Sequence, residues 1–302
     1  MSSISSFTLR IAVNHPIVFQ SFSGFASCGI FYNLIKSVDE DFAEKLHSSK
    51  KLAPFSVTPF FIENIHNKIV YRNLPAPSIA SISFSIMDNK LCDIFREVIL
   101  KQDLYVDLIN FKAKVISIAV NTYKFSDLIS NEPLASKFTI KFLTPTSFRH
   151  SIFDCCPECP YYHNYIIKIK KGEKIEKPCK YVVQCSGMLV PLPIPSLMFR
   201  NIARIWSKFS DVRLDVEGAV RWTENAITIA GFPNGIRTVR LYEHPTTNKW
   251  IVGFTGTVRF SIREYNERYA KILAALIKMA ELTNVGVRRT AGFGMIKYFA
   301  KT

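Results

Sequence analysis

The residue pattern best suited to chemistry lies near the C-terminal end of the 302-residue chain. In AELTNVGVRRTAGFGMIKY, Gly286, Gly292 and Gly294 surround Arg288 and Arg289 directly after an amphipathic helical stretch. Glycines let a backbone approach a phosphate closely, and arginines supply charge and paired donors, so the combination suits an anionic ligand. Glycines at a helix end also serve plain turn geometry, and without the arginines the loop would say little. With both arginines inside it, contact with nucleic acid is the favoured expectation.

Two further groups of residues could act. Five of the seven cysteines fall between Cys155 and Cys185. Cys156 and Cys159 give C-x2-C, and Cys179 and Cys185 follow with a looser spacing; a structural zinc site would use two such pairs, a local disulfide would use the same thiols, and free thiols are the third alternative. The odd total and the clustering argue against a disulfide framework for the whole chain. Arg237 and Arg240 follow an Asn-Gly turn in a strand-like stretch, NGIRTVRLY, but three residues apart they share a face only if the strand is irregular.

The bulk properties fit these local signals. Lysine and arginine outnumber aspartate and glutamate by 39 to 24, a formal charge of +15, and nucleic acid is the leading partner for such a balance. With 48% of residues apolar and 13% aromatic, the chain must bury a real core. The most apolar stretch, from Met188, holds three prolines and is too short to span a bilayer, and the start lacks the pattern of a secretory signal. A cytoplasmic protein with no membrane partner is expected.

The elements that must position these residues repeat an order. Strand-like alternation at Phe7 to Val13 precedes a helix from about Gly24 to Lys36 and a second, shorter one to His47, for which Ser37 and Glu40 form a candidate capping box. Strands near Val57 and at Ser78 to Ile86, a helix at Leu91 to Lys101 and a strand at Lys112 to Val120 complete β-α-β-β-α-β. From Lys137 the order recurs, with helices at about Ser196 to Phe209 and Glu264 to Leu282 and a last strand ending near Phe299. This predicts an α+β protein of two tandem ferredoxin-like, RRM-like domains, 1–132 and 133–302. A Cys-rich insertion occupies about 149–191 of the second, and its glycine-rich loop runs from 284 to 294.

The pattern N-V-G-x5-G-F-G resembles the glycine-rich loop GhGxxxxxGhG of the RAMP superfamily, and especially of its CRISPR repeat-processing endoribonucleases. Asn284 stands where the first glycine is usual, and asparagine is the next most tolerant of left-handed backbone. The resemblance extends to WIVGFTGTVRFSI, to KFLTPTSFR and to FYNLIKSVDEDFAEKLHSSKKLAPFSVTPF, and so touches both halves.

The resemblance implies a site and an activity. Members of the family supply a tyrosine, a histidine and a lysine from the N-terminal stretch, which carry over to Tyr32, to His47 and to Lys51 or Lys50. It also implies that a hairpin of the second domain, here bearing Arg237 and Arg240, grips RNA. RNA carries its own nucleophile, the 2′-hydroxyl, so catalysis needs alignment, proton transfers and charge stabilisation but no metal cofactor. The expected products are a 5′-hydroxyl and a 2′,3′-cyclic phosphate, with mature guide RNA passing to CRISPR interference complexes. A catalytically inactive RNA-binding subunit is the alternative, and monomer and homodimer both stay open. From spacing alone, Tyr32 shares an apolar stripe with Phe25, Cys28 and Ile35 and reads as a core residue. His47 reads equally well as a helix cap, and the lysines as solvated charges.

Overall fold

The computed structural model describes residues 2–49, 51–63, 68–101, 103–109, 111–129, 132–150, 188–243 and 250–300. It is an α+β protein built on two antiparallel sheets.

In the first, strand β1 (Ser3–Val13) is central because it alternates: Phe7, Leu9, Ile11 and Val13 point to one fully buried face. The chain then forms helices α1 (Ser23–Lys36) and α2 (Glu40–Ser48), strands β2 (Phe55–Val57), β3 (Phe61–Ile62) and β4 (Ser78–Ile86), helix α3 (Asn89–Ile99), and strands β5 (Tyr105–Leu108) and β6 (Phe111–Lys124). β1 pairs with β4 on one side, Phe7 opposite Phe84, and with β6 on the other, Phe7 opposite Val120. The spatial order β3-β4-β1-β6 is the ferredoxin-like one. Phe31 of α1 and Phe95 of α3 close over it against Phe84, with ring centroids 5.3 and 5.4 Å away.

The second sheet repeats the plan with β7 (Lys137–Thr146), α4 (Pro195–Phe209), α5 (Val216–Ala226), β8 (Ile227–Gly231), β9 (Ile236–Glu243), β10 (Trp250–Ile262), α6 (Glu267–Thr283) and β11 (Ile296–Phe299). Its order is β8-β10-β7-β11, with β9 added along β10. Trp206 of α4 is fully buried and donates its indole N–H to the Val212 carbonyl at 3.0 Å, which fixes the turn into α5. No described helix is long and apolar enough to cross a membrane.

Two local expectations are corrected. α2 is capped by Asp39, whose carboxylate accepts from the Phe42 amide at 2.9 Å. Ser37 instead closes α1, with its amide on the Asn33 carbonyl and its hydroxyl on that of Leu34. Helix α5 was not expected from DVEGAVRWTENA, where Gly218 and the β-branched Val216, Val220 and Thr223 depress helix propensity. Packing overrides that preference. Val216, Ala219, Val220 and Thr223 are buried on one face, and Asp215 caps the Gly218 amide at 3.0 Å.

The two halves meet at a small apolar cluster of Phe22, Ile251, Ala291 and Phe293, and also where Ile4, Met87 and Phe125 join the core of the second half. Phe293 stands edge-on to Phe22 and Phe25, at 5.4 and 5.8 Å. The glycine-rich loop therefore lies on the seam between the halves.

Candidate active site

α1 brings Tyr32 to its surface, and the short turn to α2 folds the next helix back so that His47, in its last turn, meets the tyrosine. The rings stand edge to face with centroids 5.1 Å apart and planes at 78°. Tyr32 is half-buried, packed on Phe31 and Phe55, while His47 is exposed. Tyr32 thus packs against the core and meets His47 with the same ring. Burial, with a smaller contribution from the neighbouring Cys28, pushes the Tyr32 phenol up to about 12, so at neutral pH it keeps its proton and acts only as a hydroxyl. Burial likewise pushes the Cys28 thiol up to about 11, which keeps it an inert neighbour.

Lys51 follows His47 by four residues, so their Cα atoms lie within about 14 Å of each other. It is exposed and lines a pocket of about 390 Å³ together with Asn201, Arg204, Arg149 and the loop residues Gly286 and Arg288. Lys51, Arg149, Arg204 and Arg288 are all exposed, so four cations face one concavity drawn from both halves of the chain. Lys50 lies outside the described residues.

The glycine-rich loop is packed into the fold. Gly286, Gly292 and Gly294 adopt φ near +77°, and all three are buried. A Cβ on Gly292 would stand 2.9 Å from the Pro59 nitrogen and 3.2 Å from the Gly24 Cα, both in the first half. Gly286 turns against the Ser147 carbonyl and gives its amide to Asn201 at 2.7 Å, and Gly294 packs on the Val285 carbonyl. Gly292 and Gly294 permit close backbone packing at the seam, while Gly286 also lines the pocket.

The two arginines also part company. Arg289 is only 4% exposed and donates to the carbonyls of Thr283 at 2.9 Å and Ala53 at 3.0 Å. Burial, then the nearby Arg204, lowers it to about 10, and it remains charged at neutral pH. It braces the loop to the Lys51–Ala53 segment and also lines the pocket. Arg288, in left-handed conformation at φ 58°, projects into the pocket.

Arg237 and Arg240 lie on a stretch of β9 in regular register, opposite Thr255 and Val252, so their odd spacing sends them to opposite faces. Arg240 stacks over the Trp250 ring. Both are exposed. Cys156, Cys159, Cys179 and Cys185 lie outside the described residues. Among the described residues, no group of three or more His, Cys, Asp and Glu side chains is placed to hold a metal ion.

Compared with known proteins, residues 140–296 match the family model of the CRISPR-associated endoribonuclease Cas6. The chain belongs to that family. Among solved structures it is similar to a Cas6 product complex, at TM-score 0.71 and 17% identity over 99% of this chain and 100% of that one. It is also similar to a Thermus thermophilus Cas6, at 0.66 and 18% over 99% of each chain. A Cas6-related protein from Pyrococcus furiosus gives 0.53 and 11% over the full length of both. At these identities the structures share the fold, two ferredoxin-like units, along the length of the Cas6 chains. No curated protein sequence matches.

Within this Cas6-family fold, three pocket residues were not singled out in the sequence. Arg149 sits at the end of the β7 region, and Asn201 and Arg204 lie on α4. The signal for Arg204 was present, since Arg200, Arg204 and Lys208 recur every four residues on the polar side of a helix whose other face is apolar.

Proposed function

We propose that the chain cleaves CRISPR repeat RNA within each repeat by attack of the 2′-hydroxyl on the adjacent phosphate, without a metal ion. The observation that carries this reading is the Tyr32–His47 ring contact on the strip of chain that delivers Lys51 to a pocket of four cations.

In the reaction, the 2′-oxygen loses its proton and bonds to phosphorus, the bond to the 5′-oxygen breaks, and that oxygen takes up a proton. The products are a 2′,3′-cyclic phosphate and a 5′-hydroxyl. His47, with an exposed imidazole, is the group able to carry a proton to or from these oxygens, a role worth about 10² to 10⁴-fold in rate. Tyr32 holds the ring from one edge and, remaining protonated, donates a hydrogen bond to a phosphate or leaving oxygen. Lys51, Arg149 and Arg288 face the same pocket, where their charges would offset the extra negative charge of the pentavalent transition state. Arg289 acts behind them by tying the Ala53 carbonyl, two residues from Lys51, to the glycine-rich loop. Since the nucleophile belongs to the RNA and the proton carriers and cations are side chains, the chemistry needs no divalent ion. Mature guide RNA would then pass to interference complexes.

The test is incubation of the folded protein with end-labelled repeat RNA in excess EDTA, with the new termini mapped. The expected result is one cut per repeat with a 5′-hydroxyl and a cyclic phosphate. Cleavage that returns only with a divalent ion would overturn the mechanism, and selective binding with no cleavage in any condition would make the chain an RNA-binding subunit.

A further inference from the structure

The basic surface does not end at the pocket. On α4, Arg200, Arg204 and Lys208 recur at i, i+4 and i+8, which stacks them along one side of the helix at steps of about 6 Å. They are forced outward because Phe199, Ile202, Ile205 and Trp206 fill the buried face. Arg204 is shared: it lines the pocket beside Lys51 and Arg149, and also a second groove of about 400 Å³ between α4 and α5, where Arg200 and Arg221 join it.

That groove also contains two carboxylates, Glu217 and Glu224. Glu224 is engaged by Arg200 at 2.8 Å, and the groove's arginines, Arg200, Arg204 and Arg221, still outnumber its two carboxylates. Arg204 makes no ion pair among the described residues, and the buried guanidinium of Arg289 is close enough to feel its charge. Like charges gathered this closely repel one another, and a polyanion laid across them removes the repulsion. A stripe of cations along a helix, continuous with a cationic pocket, is the footprint of a nucleic-acid backbone.

We propose that the α4–α5 groove is an extended RNA track, in which a single-stranded flank of the substrate leaves the pocket past Arg204 and lays its phosphates along Arg221 in the groove and the exposed Lys208 one helical turn beyond Arg204 on α4. This rests on the reading that the pocket receives RNA, and it adds the path of the strand beyond the cut. Base identity plays no part in it, since the stripe offers cations and no aromatic platform.

The experiment uses the full chain and a repeat RNA carrying a 2′-deoxy group at the cleavage nucleotide, so that only binding is read. Affinity is measured against salt for wild type and for Lys208→Gln/Arg221→Gln, on the full repeat and on two RNAs truncated on either side of the cut. Each lost single-strand phosphate contact removes about 0.7 from the slope of log K against log salt, so the double variant should lose about 1.4 on the full repeat. One of the truncated RNAs should show no difference between the two proteins. Lys208→Arg/Arg221→Lys, which keeps both charges, should retain the wild-type slope. Equal slopes for wild type and the glutamine variant on the full repeat, or an equal fall on both truncated RNAs, would overturn the track. Failure of the cleavage reading would leave this result intact, because a chain that binds the repeat without cutting it still reports the slope.

Discussion

Asn284 offers a two-variant experiment on the seam that holds the site together. It ends α6 at φ 58°, ψ 166°, a region that glycine occupies freely and that costs other residues about 1–3 kcal/mol. Its side-chain amide donates to the Val57 carbonyl at 2.9 Å, from the second half of the chain into β2 of the first, and the residue is only 3% exposed. Losing that donor costs about 1–3 kcal/mol. Asn284→Ala gives up the bond and keeps the strained backbone, so it should be less stable than wild type by about 1–3 kcal/mol. Asn284→Gly gives up the same bond but relaxes the backbone, two effects of similar size and opposite sign. Glycine's extra freedom in the unfolded chain takes back about 0.4–1 kcal/mol, which leaves the glycine variant above the alanine variant by about 1 kcal/mol. Urea denaturation followed by circular dichroism reads the ordering directly. An alanine variant as stable as the glycine variant would refute the strained backbone, and two variants as stable as wild type would refute the bond across the seam.

The two loop arginines should separate cleanly. Arg289→Met should lower stability by at least about 2 kcal/mol, because two buried carbonyls lose their donors, while the salt slope of RNA binding holds. Arg288→Gln should change stability by no more than about 0.5 kcal/mol and flatten that slope by about 0.7; a reversed pattern would contradict the assignment. The Tyr32 phenol, raised by burial, should ionise at about 12 instead of its ordinary 10.0, as read by the ultraviolet difference between wild type and Tyr32→Phe. Because the folded value is the higher one, the stability it contributes is complete below pH 10.0 and is lost as pH rises through about 12. A midpoint at the ordinary value would mean that the ring is not buried as described.

Much of this was legible where one physical signal acted alone. Strand β4 carries clean alternation and was bounded at Ser78 and Ile86 from the sequence, as found. Helix α5 was not, because Gly218 and its β-branched neighbours speak against a helix and only contact with the sheet decides otherwise. Ser37 and Glu40 matched a capping pattern, yet Ser37 closes α1, which ends at Lys36, and α2 starts only at Glu40, which leaves the cap to Asp39. The glycine-rich loop stood out in the sequence, but its packing role did not. Glycine permits close approach to any backbone, and a sequence does not say whether the partner is a phosphate or, as here, Pro59 and Gly24 from the other half of the chain. Arg289 shows the same limit, since nothing local announces that an arginine beside an exposed one will be buried on carbonyls. Arg149 and Arg204 reach the pocket only through the tertiary fold, while Tyr32 and His47 were reached by resemblance and their ring contact by structure.

The central claim is that the Tyr32–His47 contact is the place where protons move. It is tested most directly by single-turnover cleavage of repeat RNA by His47→Ala, with RNA affinity measured in parallel. A proton carrier acts in the transition state and adds little to ground-state binding, so the cleavage rate should fall at least about tenfold while affinity stays within about twofold. Wild-type cleavage by that variant, or a loss confined to RNA affinity, would contradict the account.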